Sequence, residues 1–185
     1  MPDKDAFLNE LHATTWTGDR VIIRPAQPHD AALYQDFVRE VNADDLRLRF
    51  WARVSELAGA EQRKLAHLDY KHDMVFIALD EGAAGAMLGL VRLRDALDET
   101  SAEFAILVRS RRKAHGIGWL LMRHMIDYAR AKGLRRVYAD VLAENSAMLQ
   151  MCSELGFREQ EYIGPQIRRV VLDLEQANGS HPAAD

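Results

Sequence analysis

The 185 residues, 48% hydrophobic and 28% charged, fall in the size and composition range of one globular domain whose core needs no covalent staple. A single cysteine, Cys152, excludes an intramolecular disulfide and any Cys-Xaa-Xaa-Cys metal or redox motif. The net charge of −4 excludes the overall basic surplus of nucleic-acid binders, so any basic site must be local.

Residues 1–18 read as an N-terminal leader in which Phe7, Leu8 and Leu11 predict one helical turn against the body. The leader shows no basic-then-apolar signal pattern, and no apolar run approaches the roughly 18 residues of a membrane span. The expectation is a cytoplasmic protein with no membrane and no nucleic-acid partner. Residues 20–24, Arg-Val-Ile-Ile-Arg, form a β-branched run stopped by Pro25 and Pro28, which predicts a strand. Ala32, Leu33, Phe37 and Val41 then recur at helical spacing, followed by weaker helical stretches at 46–50 and 61–68.

Apolar runs at 74–79 and 87–93 flank a turn containing Gly82 and Gly85, which predicts a hairpin. A third run at 102–108 follows the polar turn 98–101, so three strands arrive as an antiparallel meander. Residues 116–132 predict one amphipathic helix with Ile117, Leu121, Met125 and Tyr128 near one face and Gly133 as its stop. A strand at 136–142, a helix at 145–155 ending at Gly156, and strands at 157–161 and 167–174 follow. Residues 176–185 have turn-forming composition without periodicity and predict a mobile tail. The domain is therefore placed at 19–175, an α/β protein with a mixed sheet and helices on both faces.

The start of the helix at 116 carries the wrong charges. A helix N-terminus has unpaired N–H groups and about half a positive charge, which favour Asp, Glu, Ser or Thr there. Here Arg109, Arg111, Arg112 and Lys113 precede the helix, His115 joins them, and no carboxylate appears until Asp127. Each such cation costs up to about 1 kcal/mol. The pattern makes sense if a polyanion such as a pyrophosphate sits at the helix start, where Gly116 and Gly118 let the backbone approach it. The alternative is a solvated basic loop whose glycines only turn the chain. The ATP-type phosphate loop is not matched, and the dinucleotide fingerprint fails at Leu121, although Asp140 lies about 20 residues on.

The segment Val108, then Lys113-Ala114-His115-Gly116-Ile117-Gly118, resembles the acetyl-CoA-binding motif of the GNAT superfamily, Gln/Arg-Xaa-Xaa-Gly-Xaa-Gly/Ala. Asn145 after the next strand and Leu155-Gly156-Phe157 extend the resemblance, and the order of elements matches from Arg20 to Leu174. Within the superfamily the chain most resembles the catalytic domain of bacterial protein lysine acetyltransferases, through Leu48-Arg49-Phe50, Asp69-Tyr70 with Met74, residues 102–110, Lys113 and Met148. In that family a large regulatory region usually precedes the domain, and none is seen in this sequence.

The resemblance implies a central, twisted, mostly antiparallel sheet of about seven strands with helices on both faces. It implies acetyl-CoA as co-substrate, held by main-chain groups of Ile106, Leu107 and Val108 along the pantetheine arm and by the amides of Ala114, His115, Gly116, Ile117, Gly118 and Trp119 at the pyrophosphate, with Lys113 standing where the motif more often has Gln or Arg. The N–H of Leu107 would polarise the thioester carbonyl, and Asn145 and Cys152 would stand beside the co-substrate. Read alone, Glu103 is either a strand-end carboxylate or a base, and the resemblance implies the base. Cys152 occupies the position where many members place a tyrosine acid, and it reads as a packed helix residue beside the co-substrate.

Asp69 and Tyr70 lie where the family shapes its acceptor entrance, with a capping or turn role as the alternative. No histidine pair has metal-ligand spacing, His67 and His72 included, so no metal is expected. The acceptor is an amine, a protein lysine on the narrower resemblance. A small-molecule amine and a non-catalytic CoA sensor stay open beside it, and either a monomer or a homodimer is compatible.

Overall fold

The computed structural model describes residues 4–50, 69–82 and 85–175. Its frame is one eight-stranded sheet: β1 (Leu11–Thr14), β2 (Arg20–Pro25), β3 (Asp73–Asp80), β4 (Met87–Asp95), β5 (Ser101–Val108), β6 (Arg136–Leu142), β7 (Arg158–Gly164) and β8 (Ile167–Asp173). The spatial order is β1-β2-β3-β4-β5-β6-β8-β7, antiparallel at every junction except the parallel β5–β6 pair. The α-helices described are α1 (Ala31–Arg39), α2 (Ala43–Phe50), α3 (Ile117–Lys132) and α4 (Ser146–Glu154).

The central strands read as continuous apolar runs because both faces of the sheet are covered. Met74, Phe76 and Ala78 of β3 point into a core shared with Leu121, Met125 and Tyr128 of α3. Val75, Ile77 and Leu79, on the alternate face, join Tyr34 and Phe37 of α1 and Leu46 of α2. Phe37 and Phe76 are both fully buried, and each such ring contributes about 1.5–3 kcal/mol. Gly133 closes α3 in the left-handed region, at φ 85°, and Leu134 N donates to Ala129 O at 3.0 Å.

Two expectations change at the N-terminus. The leader does contain a helical turn, a 3-10 helix at Lys4–Leu8, but it also supplies β1, which pairs with β2 from Leu11↔Ile23 to Thr14↔Arg20. The sheet therefore has eight strands rather than about seven. Edge pairing is made by the main chain, so Leu-His-Ala-Thr needs no alternating pattern to join. The helix expected at 61–68 and the tail at 176–185 lie outside the described residues. Among the described residues no helix is long and apolar enough to cross a membrane.

Candidate active site

β5 and β6 pair over only three positions, Ser101↔Arg136, Ala102↔Val137 and Glu103↔Tyr138. Beyond them both strands continue but separate, and the opening becomes a cavity of about 660 Å³. Its walls are the outer half of β5, Ala139 to Val141 of β6, the start of α3, α4, and Asp45, Leu48 and Arg49 of α2.

Hydrogen bonds at both ends of β5 show which main-chain groups face this opening. Ala96 N donates to Ser101 O at 2.9 Å and Arg109 N to Leu88 O at 2.8 Å. The β4–β5 register runs without a shift between those points. Odd-numbered residues of β5 therefore direct N–H and C=O to β4, and even-numbered ones direct theirs away from it. Thr100 O, which accepts from Arg135 N at 2.8 Å, keeps the same alternation on the β6 side. The N–H of Phe104 is taken by the last β5–β6 pairing, so the N–H groups offered to the cleft are those of Ile106 and Val108. This corrects the assignment of Leu107: its N–H belongs to the β4 ladder.

The turn before α3 presents the second set of main-chain donors. Ala114 and Gly116 both sit in the left-handed region, at φ 63° and 93°. Gly116 is the N-cap of α3 and no side chain caps the helix; Leu120 N, to Gly116 O at 3.0 Å, is the first amide with a helical partner. The N–H groups of Gly118 and Trp119, two residues that line the cavity, are thus left for an anion. α4 differs, because there the Asn145 side chain accepts from Met148 N at 3.2 Å.

Three of the five cations around the start of α3 are already ion-paired. Lys113 is ion-paired with Asp45. Arg112 reaches Asp19 at 2.9 Å and Asp80 at 3.5 Å, and His115 Nδ1 lies 2.9 Å from Asp19 Oδ2. The hydrogen bond from His115, then that from Thr17, hold the Asp19 carboxyl below the usual range. The aspartates thus meet Arg112, Lys113 and His115, three of the cations that look uncompensated along the chain. The case for a bound pyrophosphate therefore rests on the uncapped helix start and the open turn.

On the other side of β5, Glu103 is exposed on the α2-facing surface and lines the cavity. Ala105 and Leu107 share that face, and Leu107 packs into the core under α1 and α2. Among the described residues Glu103 makes no ion pair within 4 Å; Arg94, its partner in register, turns to Asp73 instead. Tyr138 stands opposite Glu103 in the β5–β6 register, and burial, then the Glu103 charge, raise its phenol. Arg169 stacks 5.1 Å over Tyr138 and holds Asp140 through two 2.7 Å bonds.

A sequence model described as the acetyltransferase (GNAT) family matches residues 32–157. The chain belongs to that family. Over 141 residues it is 31% identical to Acetyltransferase PA5475 of Pseudomonas aeruginosa, covering 76% of each protein. Over 152 residues it is 30% identical to Acetyltransferase Pat of Mycolicibacterium smegmatis, covering 82% of this chain and 45% of that one. The GNAT domain of S. lividans PAT has the same fold, with a TM-score of 0.82 at 23% identity over 89% of this chain and 96% of that one. As a GNAT protein it is an acetyl-CoA-dependent N-acetyltransferase.

The GNAT motif residues divide into three groups in the structure. Glu103, Ile106, Leu107, Val108, Lys113, Ala114, Gly116, Gly118, Trp119 and Asn145 line the cavity. Ile117 and Cys152 do not: both are fully buried in the core under α3 and α4. Burial pushes the Cys152 thiol up to about 12. His115 is turned to Asp19.

Neither Asp69 nor Tyr70 lines the cavity, and both make local contacts. Asp69 accepts from Lys71 N at 3.0 Å and faces His72 at 2.9 Å, and Tyr70 OH donates to Ala26 O at 2.9 Å. His67 lies outside the described residues. Trp16, Asp45, Asp140 and Met151 also line the cavity, and sequence reasoning had given none of them a place there. Only Asp140 carried a usable signal, as a carboxylate between the apolar strand positions Ala139 and Val141.

Proposed function

We propose that this acetyltransferase moves the acetyl group of acetyl-CoA to the side-chain amine of a protein lysine, by direct transfer with Glu103 as general base. The observation that carries the reading is the place of Glu103: one carboxylate, without an ion pair among the described residues, on the face of β5 opposite the phosphate turn and beside the cleft-facing amides. Similarity to Acetyltransferase Pat supports the protein acceptor.

A lysine amine has a pKa near 10.4, so presenting it neutral at pH 7 costs about 4.6 kcal/mol unless a base takes the proton. Glu103 removes it, directly or through one water. The free amine then attacks the thioester carbonyl, whose oxygen accepts from the N–H of Ile106. The C–S bond breaks, the thiolate leaves, and the nitrogen gives its surplus proton to solvent. Cys152 is buried and firmly protonated, so the thiolate takes its proton from solvent. Ile106 and Val108 hold the pantetheine arm through main-chain pairs, and the start of α3 holds the pyrophosphate.

The experiment is turnover of labelled acetyl-CoA on a lysate, with mass spectrometry of modified lysines, in wild type and Glu103→Gln. Lysine acetylation that needs Glu103 supports the reading. Turnover on polyamines or amino acids alone would remove the protein acceptor, and undiminished turnover by Glu103→Gln would remove the base.

A further inference from the structure

The loop between β1 and β2 reaches across the molecule to the turn in front of α3. Trp16 Nε1 donates to Ala114 O at 3.1 Å, and Thr17 Oγ1, which donates to Asp19 Oδ2 at 2.9 Å, lies 3.3 Å from His115 O. Asp19, at the end of the same loop, takes Arg112 and His115. The loop is itself cross-braced, with Thr15 N donating to Asp19 O at 2.9 Å and Asp19 N to Thr15 Oγ1 at 3.1 Å. Five residues far from the motif thus clasp the turn whose amides face the pyrophosphate.

Trp16 does more than brace. A Cβ placed on Gly116 would lie 2.9–3.2 Å from three consecutively bonded ring atoms, Cε3, Cδ2 and Cε2, so the glycine packs against the face of the ring. The indole is therefore fixed twice, by its N–H on Ala114 and by its face on Gly116. Even so, Trp16 is 65% exposed, and it lines the cavity. An immobilised, largely uncovered indole at the mouth of a ligand cavity has the form of a stacking platform, because its orientation is set before anything binds.

The diphosphate site and the ring are adjacent: the ring sits on Gly116, the N-cap residue of the helix whose first amides take the phosphates. In coenzyme A the group next to the diphosphate, on the side away from the thiol, is the adenosine. We propose that Trp16 is the platform on which the adenine base of acetyl-CoA stacks. The inference rests on acetyl-CoA being the donor. It also explains why position 116 must be glycine twice over: the φ of 93° disfavours any Cβ, and the ring occupies the place that a Cβ would take.

The test is calorimetric binding of CoA and of phosphopantetheine, which keeps the arm and one phosphate but lacks the nucleoside, to wild type, Trp16→Ala and Trp16→Phe. Trp16→Ala is expected to weaken CoA about tenfold and to leave phosphopantetheine within about twofold, with Trp16→Phe close to wild type for both ligands. Equal weakening of both ligands by Trp16→Ala would mean that the ring only holds the turn, and no change for either would mean that it touches neither; both results overturn the proposal. Failure of wild type to bind CoA at all would instead overturn the donor reading, a distinct result.

Discussion

On the α3 side of the cleft the working groups are main-chain amides, those of Gly118 and Trp119 at the helix start and of Ile106 and Val108 on β5. On the α2 side the working group is one side chain, the carboxylate of Glu103. The first side is heavily braced: Trp16, Asp19 and Asp45 all bond to the turn between Arg112 and His115. Glu103 has no such brace among the described residues. A main-chain site depends on conformation and on the absence of a Cβ, so its side chains are free to vary, as Lys113 does from the Gln or Arg of the motif. A side-chain site depends on one atom group and has nothing to replace it.

That contrast breaks first at Gly118. A Cβ there has room, 3.6 Å from Met151 Sδ and Val108 Cγ2, so Gly118→Glu keeps the fold but sets a carboxylate at the phosphate site. Like charges placed together cost several kcal/mol, and calorimetry should show CoA binding weakened about 1,000-fold. Lys113→Gln should stay within about threefold, because only a side chain changes. If both substitutions cost the same, the site is not built from main chain.

The second test is on the other side. Glu103→Gln is expected to lower kcat about 300-fold at pH 7 with KM for acetyl-CoA unchanged, and to regain rate as pH rises toward 10, where the acceptor loses its proton unaided. A rise in KM for acetyl-CoA of similar size would place Glu103 on the co-substrate side and erase the division.

The two sides were not equally legible in the sequence. The phosphate turn could be read because Gly116, Gly118 and the basic run are contiguous, and the meander because its strands are covered on both faces and run apolar. The braces could not be read. Asp19 lies 93 residues from Arg112 and Asp45 lies 68 from Lys113, so cations answered across the fold look unanswered along the chain. β1 escaped because an edge strand needs main-chain pairing and no apolar alternation. The choice between Leu107 and Ile106 depends on which neighbour each amide faces, and that follows from strand order and register rather than from side chains.

The bracing of α3 extends to its buried side. His124 sits 8% exposed among Phe7, Phe76 and Tyr128, its Nε2 without a hydrogen-bond partner, and burial lowers its pKa to about 4 against a weaker pull from Asp127. Below pH 6.5 the unfolded chain takes a proton that the folded one refuses until about pH 4, so stability falls across that window. The loss should reach about 3 kcal/mol by pH 4. Denaturant titrations should show His124→Phe free of this component, with the slope from carboxylates such as Asp19 and Asp30 retained.

The smallest effect tests whether the main-chain side uses any side-chain chemistry at all. Cys152 stands on α4 where a tyrosine acid is common in the family, but its side chain is fully buried in the core and takes no part in the cavity wall. Cys152→Ala should leave kcat and its pH profile unchanged and cost about 1 kcal/mol of stability, the transfer free energy of one small apolar group. In the native protein the thiol should react with a disulfide reagent only as fast as the core opens, since burial holds it protonated at pH 8. A kcat that falls on the alkaline limb alone would show Cys152 protonating the thiolate after all, and the α3 side would then owe part of its chemistry to a side chain.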